Sequence, residues 1–570
     1  MQIPKILSHR AVIAAAVVTT AVALTLAYGV PYGSGNQVTY LVEPLHRAHP
    51  ALFLRDWLIT GTTQYHPVFA WLAAPIFGLD PQGPLSIARA FEIAQLVVMT
   101  ATFVVIYLMI TGLARRAQLI AFLAVVALLA LGGGRALAGS YLFAGYLQPS
   151  SLASLGWLAA MLAWLRGRWW IAGVWLALAG ACHVNFLVLG VGVFALAEVM
   201  ASAREAAPGE TSRPARAAIV VRRIAVLVGP SLVVLMFYLP ALLASAHAHD
   251  PDAALHVLVK FHAPGHYDPA RVRRWVPPLV AWLAIAWGAL PVARTPGSGT
   301  ANRLWWFAAA AIASCVAAAA IASIPPLLGV TRLFVWRIAP FGQLAAQLVV
   351  ITAALAEPRA VALSTGRKVA IGLGAATLIG ESMYLGGGVY LYTAALVGIA
   401  AIAAAGHGLR RPALAMAVAV TGFAAVVVQN CHQIIAPPLF APECEAQDCA
   451  FQGWVRTRTP VDAVFLVPPY DSWFRLLAQR AIVADVKSPP LYPDEIVTWY
   501  RRLCAIVDAA EMPTHEAVIA RWNTLTADQV LAAARRFDVE YVLLEKQQHA
   551  PPLAAPVAYE DGVRVVYRLR

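Results

Sequence analysis

Long apolar runs recur along the first three quarters of the chain and are separated by short polar connections. A run of about 20 residues is needed to cross the hydrocarbon of a bilayer. Such runs extend from residue 11 to residue 430 and predict roughly thirteen membrane helices. The helices are expected at 11–30, 87–112, 117–133, 151–165, 169–182, 184–200, 219–243, 276–293, 304–323, 334–355, 369–385, 390–406 and 412–430.

The pattern changes after residue 430, where short apolar runs predict buried strands separated by helices. The strands are expected at 462–469, 481–486, 539–545 and 563–569, and the helices at 471–479, 493–509, 514–523 and 526–536. Thr526, followed by Asp528 and Gln529, is typical of a helix start. The predicted fold class is therefore a polytopic α-helical membrane domain, residues 1–430, followed by an α/β domain, residues 431–570, with a mostly parallel sheet.

The composition and charge fit this division. Hydrophobic residues make up 60% of the chain and charged residues only 12%, which indicates that lipid is the main solvent. Up to residue 430 there are 28 basic and 12 acidic residues, whereas beyond it there are 14 and 17. Eighteen of the 28 basic residues fall in alternate loops, which the positive-inside rule assigns to the cytoplasm. The net charge of +13 therefore reflects topology, and no nucleic-acid partner is expected.

This topology predicts a multi-pass protein of the bacterial inner (cytoplasmic) membrane with a cytoplasmic N-terminus. Two long loops, residues 31–65 and 244–274, and the C-terminal domain would then lie on the periplasmic side. Cys444 and Cys449 share one loop of that domain, and a disulfide there would suit an oxidising periplasm. Unpaired thiols are the alternative.

The first of these loops concentrates polar side chains beside the membrane. Glu43 and Asp56 could each deprotonate a hydroxyl group or hold a divalent cation. The alternative is that both acids only solvate an interfacial loop. His66 begins an apolar stretch, residues 66–77, that is too short to span and predicts a helix lying on the outer leaflet.

The second loop and the nearby helix ends carry cations that suit a lipid-linked phosphate. The candidate residues for binding substrate or phosphate are His66, His183, Lys260, His262, His266, Tyr267, Arg332 and Arg337. His183 lies at the break between two short helices and should reach the same surface. For the arginines, the alternatives are internal ion pairing and snorkelling of the side chain to the membrane surface.

Several segments resemble a known superfamily. They are GNQVTYL…LFLRDW (35–57), YLQPSSLA (146–153) with ACHVN (181–185), HAPGHYDP (262–269) and TPVDAVFLVPP…FRLLAQR (459–480). Together with the layout of helices and loops, they resemble the GT-C superfamily of glycosyltransferases that use polyprenyl-phosphate sugars. Within it, they are similar to a group of bacterial membrane proteins with a C-terminal periplasmic α/β domain.

The resemblance implies inverting transfer of a sugar from a polyprenyl-phosphate donor to a lipid, glycan or protein acceptor at the periplasmic face. Asp56 matches the catalytic base by position, and Glu43 is the second candidate. These acids stand thirteen residues apart, whereas superfamily members commonly carry adjacent or i,i+2 acids. A transporter or flippase of a lipid-linked substrate and a non-catalytic membrane assembly component are the alternatives. The enzyme is favoured if Asp56, His266 and Arg332 line one cavity open to the outer leaflet.

Overall fold

The fold is that of a computed structural model, which describes most of the chain. It describes residues 9–64, 66–79, 86–113, 117–131, 136, 140–205, 213–246, 249–294, 299–324, 331–356, 363–385, 411–429, 446–548 and 550–570.

The helical part follows the predicted runs closely. Its long helices are α1 (His9–Tyr28), α6 (Ile87–Thr111), α7 (Gln118–Leu131), α8 (Pro149–Leu165), α9 (Trp169–Cys182), α10 (Val184–Glu205), α11 (Arg213–Ala246), α15 (Val276–Ala293), α16 (Thr300–Ala322), α17 (Ala339–Leu355), α18 (Thr365–Leu385) and α19 (Arg411–Gln429). Within the described ranges, six segments are long and apolar enough to cross a membrane, and further apolar helices are shorter. The chain is thus a membrane protein. The predicted helix at 390–406 lies outside the described residues, so the count of thirteen stays a prediction.

Small residues allow the membrane helices to pack closely, as is usual where lipid gives no hydrophobic drive to association. A Cβ atom added to Gly173 of α9 would stand 2.4 Å from the backbone oxygen of Leu227 in α11. A Cβ atom at Gly288 of α15 would stand 2.9 Å from the backbone oxygen of Arg367 in α18. Between the helices, the buried indole of Trp157 donates a hydrogen bond to the carbonyl of Phe186 at 2.9 Å.

Short helices fill the two long loops at one end of the bundle, called here the loop end. They are α2 (Gln37–Tyr40), α3 (Val42–Ala48), α4 (Trp57–Thr60), α5 (Pro67–Phe77), α12 (Pro251–His256), α13 (Pro264–Tyr267) and α14 (Pro269–Val272), with a π-turn at Val257–His262 and 3-10 turns at Arg273–Trp275 and Val335–Ile338. Helix α5, of eleven residues, corresponds to the apolar helix predicted at 66–77, and its Trp71 and Leu72 are exposed. An exposed apolar face on so short a helix suits a position in the membrane interface.

The C-terminal α/β domain contains a five-stranded sheet of order β2-β1-β3-β5-β4. Its elements are α20 (Ala446–Arg458), β1 (Val464–Leu466), α21 (Phe474–Ala478), β2 (Ala481–Ile482), α22 (Pro493–Ile506), α23 (His515–Trp522), α24 (Ala527–Arg536), β3 (Tyr541–Glu545), β4 (Val557–Glu560) and β5 (Arg564–Arg568). The predicted start of α24 is confirmed, since Thr526 and Gln529 form a reciprocal capping box.

The prediction of a mostly parallel sheet is wrong. Strand β1 pairs in parallel with β2 and β3, but β5 runs antiparallel to both β3 and β4. The sheet is mixed because β4 and β5 form a hairpin that turns at Asp561–Gly562, where Asp561 accepts hydrogen bonds from the amides of Val563 and Arg564.

Candidate functional site

A cavity of about 260 Å³ lies where the loop end of the bundle meets the C-terminal domain. It is lined by His66, His183, Val184, Asn185, Val188, Leu242, Ala254, Leu258, Tyr267, Arg332, Leu333, Leu491, Tyr492, Pro493 and Ile496. Val188 and Leu242 belong to membrane-spanning segments and are 44% and 37% exposed. The cavity therefore has an apolar wall on two helices that are long and apolar enough to span a membrane.

Two buried histidines form the polar end of this cavity. His66 precedes α5 as its N-cap residue, and His183 joins α9 to α10. Their ring centroids are 4.6 Å apart. Burial, and secondly the charge of Arg337, lower the pKa of His66 to about 3. The imidazole of His66 is therefore neutral at physiological pH.

Arg337 lies near the two histidines and has no anionic partner among the described residues. Its guanidinium carbon lies 4.9 Å from the ring centroid of Phe334 and 5.5 Å from that of Phe186. The Nε atom is buried and has no hydrogen-bond partner. No carboxylate within the described ranges pairs with this guanidinium. Arg337 is half-buried as a whole, and a guanidinium in such a position can form charge-assisted hydrogen bonds with an anion.

Backbone geometry holds Arg337 in place. Phe334 has a φ of 47°, in the left-handed region that bulky residues rarely adopt. The turn is fixed because Phe334 N donates to Thr331 O at 2.9 Å and Arg337 N donates to Phe334 O at 3.0 Å. The indole of Trp336 also donates to the carbonyl of His266 at 2.8 Å. Unusual backbone geometry held by neighbouring contacts is typical of functional sites.

Arg332 and Tyr267 complete the polar lining. Arg332 donates a hydrogen bond to the carbonyl of Pro251 at 2.6 Å, and its side chain is half-buried. Burial raises the pKa of Tyr267, with Arg337 acting in the opposite direction, so the phenol stays protonated at neutral pH. The cavity lining therefore includes one guanidinium, that of Arg332, and a neutral hydroxyl, while Arg337 is not a lining residue.

A smaller cavity of about 30 Å³ lies on the other side of His66 and is lined by Tyr40 and Glu43. The Glu43 carboxylate forms an ion pair with Arg47 Nε at 2.8 Å. Burial raises the pKa of Tyr40, so its hydroxyl remains protonated. The space is about that of one water molecule or one hydroxyl group.

The structure places Asp56 away from both cavities. Its carboxylate is 0% exposed and accepts hydrogen bonds from Arg475 Nε at 2.7 Å, Leu58 N at 2.9 Å and Ile482 N at 3.0 Å. Arg475 also forms a buried ion pair with Asp485. We call Asp56, Arg475 and Asp485 the buried ion cluster. A carboxylate saturated by three donors cannot reach a substrate hydroxyl, so this geometry disagrees with the predicted role of Asp56 as base.

Other predicted residues also lie outside the 260 Å³ cavity. Lys260 pairs with Asp268 at 2.9 Å. His262 packs against Trp499 and His515 of the C-terminal domain, and the His266 side chain is exposed. Asp56 and His266 do not line the 260 Å³ cavity with Arg332, so the convergence that would favour the enzyme over a non-catalytic component is not found there.

Four residues of the cavities and the buried ion cluster were not among the sites predicted from the sequence. These are Tyr40 beside Glu43, Arg475 and Asp485 in the buried ion cluster, and Tyr492 in the cavity wall. Tyr492 lies in the proline-rich segment SPPLYP (488–493), which leads into α22. Such a segment indicates a rigid turn, and this signal could have identified Tyr492 as a candidate.

Two further predictions concern cysteines and metals. Cys449 is disulfide-bonded, and Cys444 lies outside the described residues. In the part of the chain that the structure describes, no three His, Cys, Asp or Glu side chains form a group that could hold a metal ion.

Comparison with protein families gives one match. Residues 448–506 match a family described as a domain of unknown function, DUF6798. No curated protein matches the sequence.

Solved structures give matches across nearly the whole chain. ArnT from Cupriavidus metallidurans, solved bound to undecaprenyl phosphate, is 15% identical over 98% of this chain and 97% of that chain, with a TM-score of 0.44. The Archaeoglobus fulgidus oligosaccharyltransferase, tethered with an acceptor peptide, is 13% identical over 93% and 69%, with a TM-score of 0.48. The archaeal oligosaccharyltransferase AglB from the same organism, in complex with an inhibitory peptide and a dolichol-phosphate, is 12% identical over 93% and 69%, with a TM-score of 0.44. These neighbours are GT-C glycosyltransferases, the superfamily that the sequence resembles.

Proposed function

We propose that the chain is an integral membrane glycosyltransferase that moves a sugar from a polyprenyl-phosphate donor to a lipid, glycan or protein acceptor. The observation that carries this proposal is Arg337, a guanidinium that pairs with no carboxylate of the described residues and whose charge acts on His66, a lining residue of the 260 Å³ cavity. A lipid phosphate matches this site, because one molecule supplies both the missing anion and an apolar chain.

The distribution of polarity in the cavity supports the same substrate class. Val188 and Leu242 form an apolar border on two spanning helices, whereas His183 and Arg332 lie at the polar end. An amphiphile can therefore keep its chain in lipid while its head group reaches the cations. Guanidinium groups suit phosphate because their donors match its oxygens in pairs.

In this proposal Glu43 has a separate role, as the catalytic base. Glu43 accepts the proton of the acceptor hydroxyl, the hydroxyl oxygen attacks C1 of the sugar, and the bond from C1 to the phosphate oxygen breaks. Arg337 and Arg332 stabilise the negative charge that develops on the departing phosphate. A single displacement of this kind inverts the configuration at C1. We favour Glu43 over Asp56 because Glu43 lines a cavity that shares His66 with the larger one.

We place this site at the periplasmic face of a bacterial inner membrane, with the N-terminus in the cytoplasm. The support is the distribution of basic residues along the sequence and the disulfide at Cys449, which suits an oxidising compartment.

Purified full-length protein in lipid nanodiscs, given a panel of polyprenyl-phosphate sugars, tests the proposal through release of polyprenyl phosphate. We expect wild type to consume at least one donor, Glu43→Gln to lose turnover while retaining lipid-phosphate binding, and Arg337→Gln to lose both. Arg271→Gln, which changes an exposed arginine of the second loop, is the matched control and should behave as wild type. Binding of undecaprenyl phosphate without turnover of any donor would contradict the transferase, and equal binding by Arg337→Gln would contradict the phosphate site.

A further inference from the structure

A second cavity, of about 340 Å³, lies between the first loop and the C-terminal domain. It is lined by Tyr32, Gly33, Ser34, Asp448, Phe451, Gln452, Asp471, Trp473, Phe474, Leu477, Ala478 and Arg564. It shares no lining residue with the 260 Å³ cavity. We call it the seam cavity. Its volume falls within the range of about 300–1,000 Å³ that is typical of small-molecule sites.

Polar groups of the seam cavity are left without partners. Within the described part of the chain, the Asp471 carboxylate and the Gln452 amide make no hydrogen bond. Arg564 forms ion pairs with Asp448 and Asp561, yet its buried Nη1 atom has no hydrogen-bond partner. The Arg564 nitrogen is buried, whereas Asp471 and Gln452 are partly exposed toward the cavity, so together the three groups offer a donor and acceptors to a ligand with complementary groups.

An aromatic surface accompanies these groups. The indole of Trp473 is 51% exposed although it belongs to the C-terminal domain and not to a spanning helix. Phe451 adds a second ring, over which the Arg564 guanidinium lies at 4.8 Å. A large exposed apolar ring beside hydrogen-bonding groups suits a ligand with both an apolar face and hydroxyl groups.

The charges restrict the ligand further. Arg564 is paired with both Asp448 and Asp561, so the acidic groups at the cavity outnumber this cation even when Asp471 is protonated. An anionic ligand is therefore disfavoured. Hydroxyl groups can donate to Asp471 and to the oxygen of Gln452, and can accept from Arg564.

We propose that the seam cavity binds an uncharged saccharide unit, and that this unit belongs to the acceptor glycan of the transfer reaction. Because the seam cavity shares no lining residue with the cavities of the candidate site, the bound unit is not the one that carries the reacting hydroxyl. Its part as acceptor rests on the function proposed above, whereas saccharide binding itself does not. The sugar ring stacks its apolar face on Trp473 and its hydroxyls bond to Asp471, Gln452 and Arg564. The C-terminal domain is then a glycan-binding domain docked on the membrane part.

Ligand-observed NMR with full-length protein in nanodiscs tests this site. The probes are three uncharged sugars: methyl β-D-glucopyranoside, cellobiose and N,N′-diacetylchitobiose. At pH 8, where Asp471 is mostly ionised, we expect wild type to bind at least one of them. Trp473→Ala and Asp471→Asn should each weaken that binding about tenfold or more, as loss of a stacking platform or a charged hydrogen bond would. Trp170→Ala is the matched control, because Trp170 is 60% exposed but lies on α9, outside the cavity.

The outcomes separate the two proposals. No saturation transfer to any probe, or equal binding by wild type and both cavity variants, would overturn the saccharide site. Binding of an alkylammonium probe in preference to all three sugars would also overturn it, because Asp471 would then serve as a cation site. Donor turnover is measured separately on the same preparations. Saccharide binding without donor turnover would support the saccharide site and contradict the transferase. Donor turnover without saccharide binding would support the transferase and contradict the saccharide site.

Discussion

The buried ion cluster explains why an acidic side chain in a polar loop need not be a catalytic group. Arg475 is buried with Asp56 on one side and Asp485 on the other, so each charge is compensated inside the protein. Removing one partner from such a cluster leaves a buried guanidinium underpaired, at a cost of about 3–5 kcal/mol. The cluster therefore belongs to the attachment between the first loop and the C-terminal domain.

Asp56→Asn should accordingly lower the thermal unfolding temperature of the nanodisc-embedded protein and increase proteolysis at the junction of the two parts. Glu43→Gln is the matched control, because the Glu43–Arg47 pair lies within one helix turn and such pairs contribute only about 0.3–0.5 kcal/mol. Differential scanning fluorimetry and limited proteolysis measure the effect. A normal unfolding temperature for Asp56→Asn, together with lost turnover, would restore Asp56 as the base.

Asp471 should give the protein a distinct pH dependence. Burial, and secondly the charge of Glu545, raise the pKa of Asp471 to about 7. The native state therefore holds a proton that the unfolded chain has released, and stability associated with this group is lost as pH rises through 7. The Asp471→Asn substitution keeps the shape of the side chain but removes its charge. The unfolding temperature of the variant minus that of wild type should therefore increase from pH 5 to pH 8. A difference that does not change with pH would contradict the raised pKa.

The sequence identified some residues of the candidate site but not the residues that surround them in the fold. The sequence pointed to Arg332, Arg337, His66 and His183, because polar side chains at apolar helix ends are rare. It could not distinguish Asp56 from Glu43, since the partner that buries Asp56 lies more than 400 residues away along the chain.

At the scale of secondary-structure elements, the close packing of α9 against α11 can be tested by a single substitution. A methyl group at Gly173 would stand 2.4 Å from the backbone oxygen of Leu227, and backbone cannot move aside as a side chain can. Gly173→Ala should therefore separate α9 from α11 and destabilise the bundle by about 1–3 kcal/mol.

Gly192→Ala is the matched control, because it lies on α10 and an added Cβ atom meets nothing within 4 Å. Since alanine favours helices, Gly192→Ala should leave the unfolding temperature unchanged or raise it. If thermal unfolding in nanodiscs gives the same value for both variants, the contact between α9 and α11 is looser than described.

Apolar runs in the sequence predicted the helices and the buried strands, but they did not predict the edge strand β4. Its residues, Val557–Glu560, are partly or fully exposed and therefore form no continuous apolar run. The Asp561–Gly562 pair between two short β-prone segments did carry a hairpin signal. Reading that signal would have predicted the antiparallel half of the sheet.

At the scale of the whole molecule, the candidate site is assembled from distant parts of the chain. His66, His183, Tyr267, Arg332 and Tyr492 come from five separate segments and meet at one cavity. Apolar periodicity predicts each segment separately and contains no information about which segments meet. The convergence therefore required the structure, whereas the division into a membrane part and an α/β domain did not.

The position of the cavity predicts how a lipid reaches it. Val188 and Leu242 border the cavity on spanning helices, so a lipid phosphate can enter from the bilayer while the C-terminal domain stays docked. The docking can be locked at Thr39 and Ser488, whose hydroxyl oxygens are 3.0 Å apart, by a Thr39→Cys/Ser488→Cys disulfide. We expect the oxidised double variant to bind undecaprenyl phosphate as wild type does, with the single-cysteine variants as controls. Binding that is lost on oxidation and recovered on reduction would instead show that the domain must open, and the cavity would then be filled from the aqueous side.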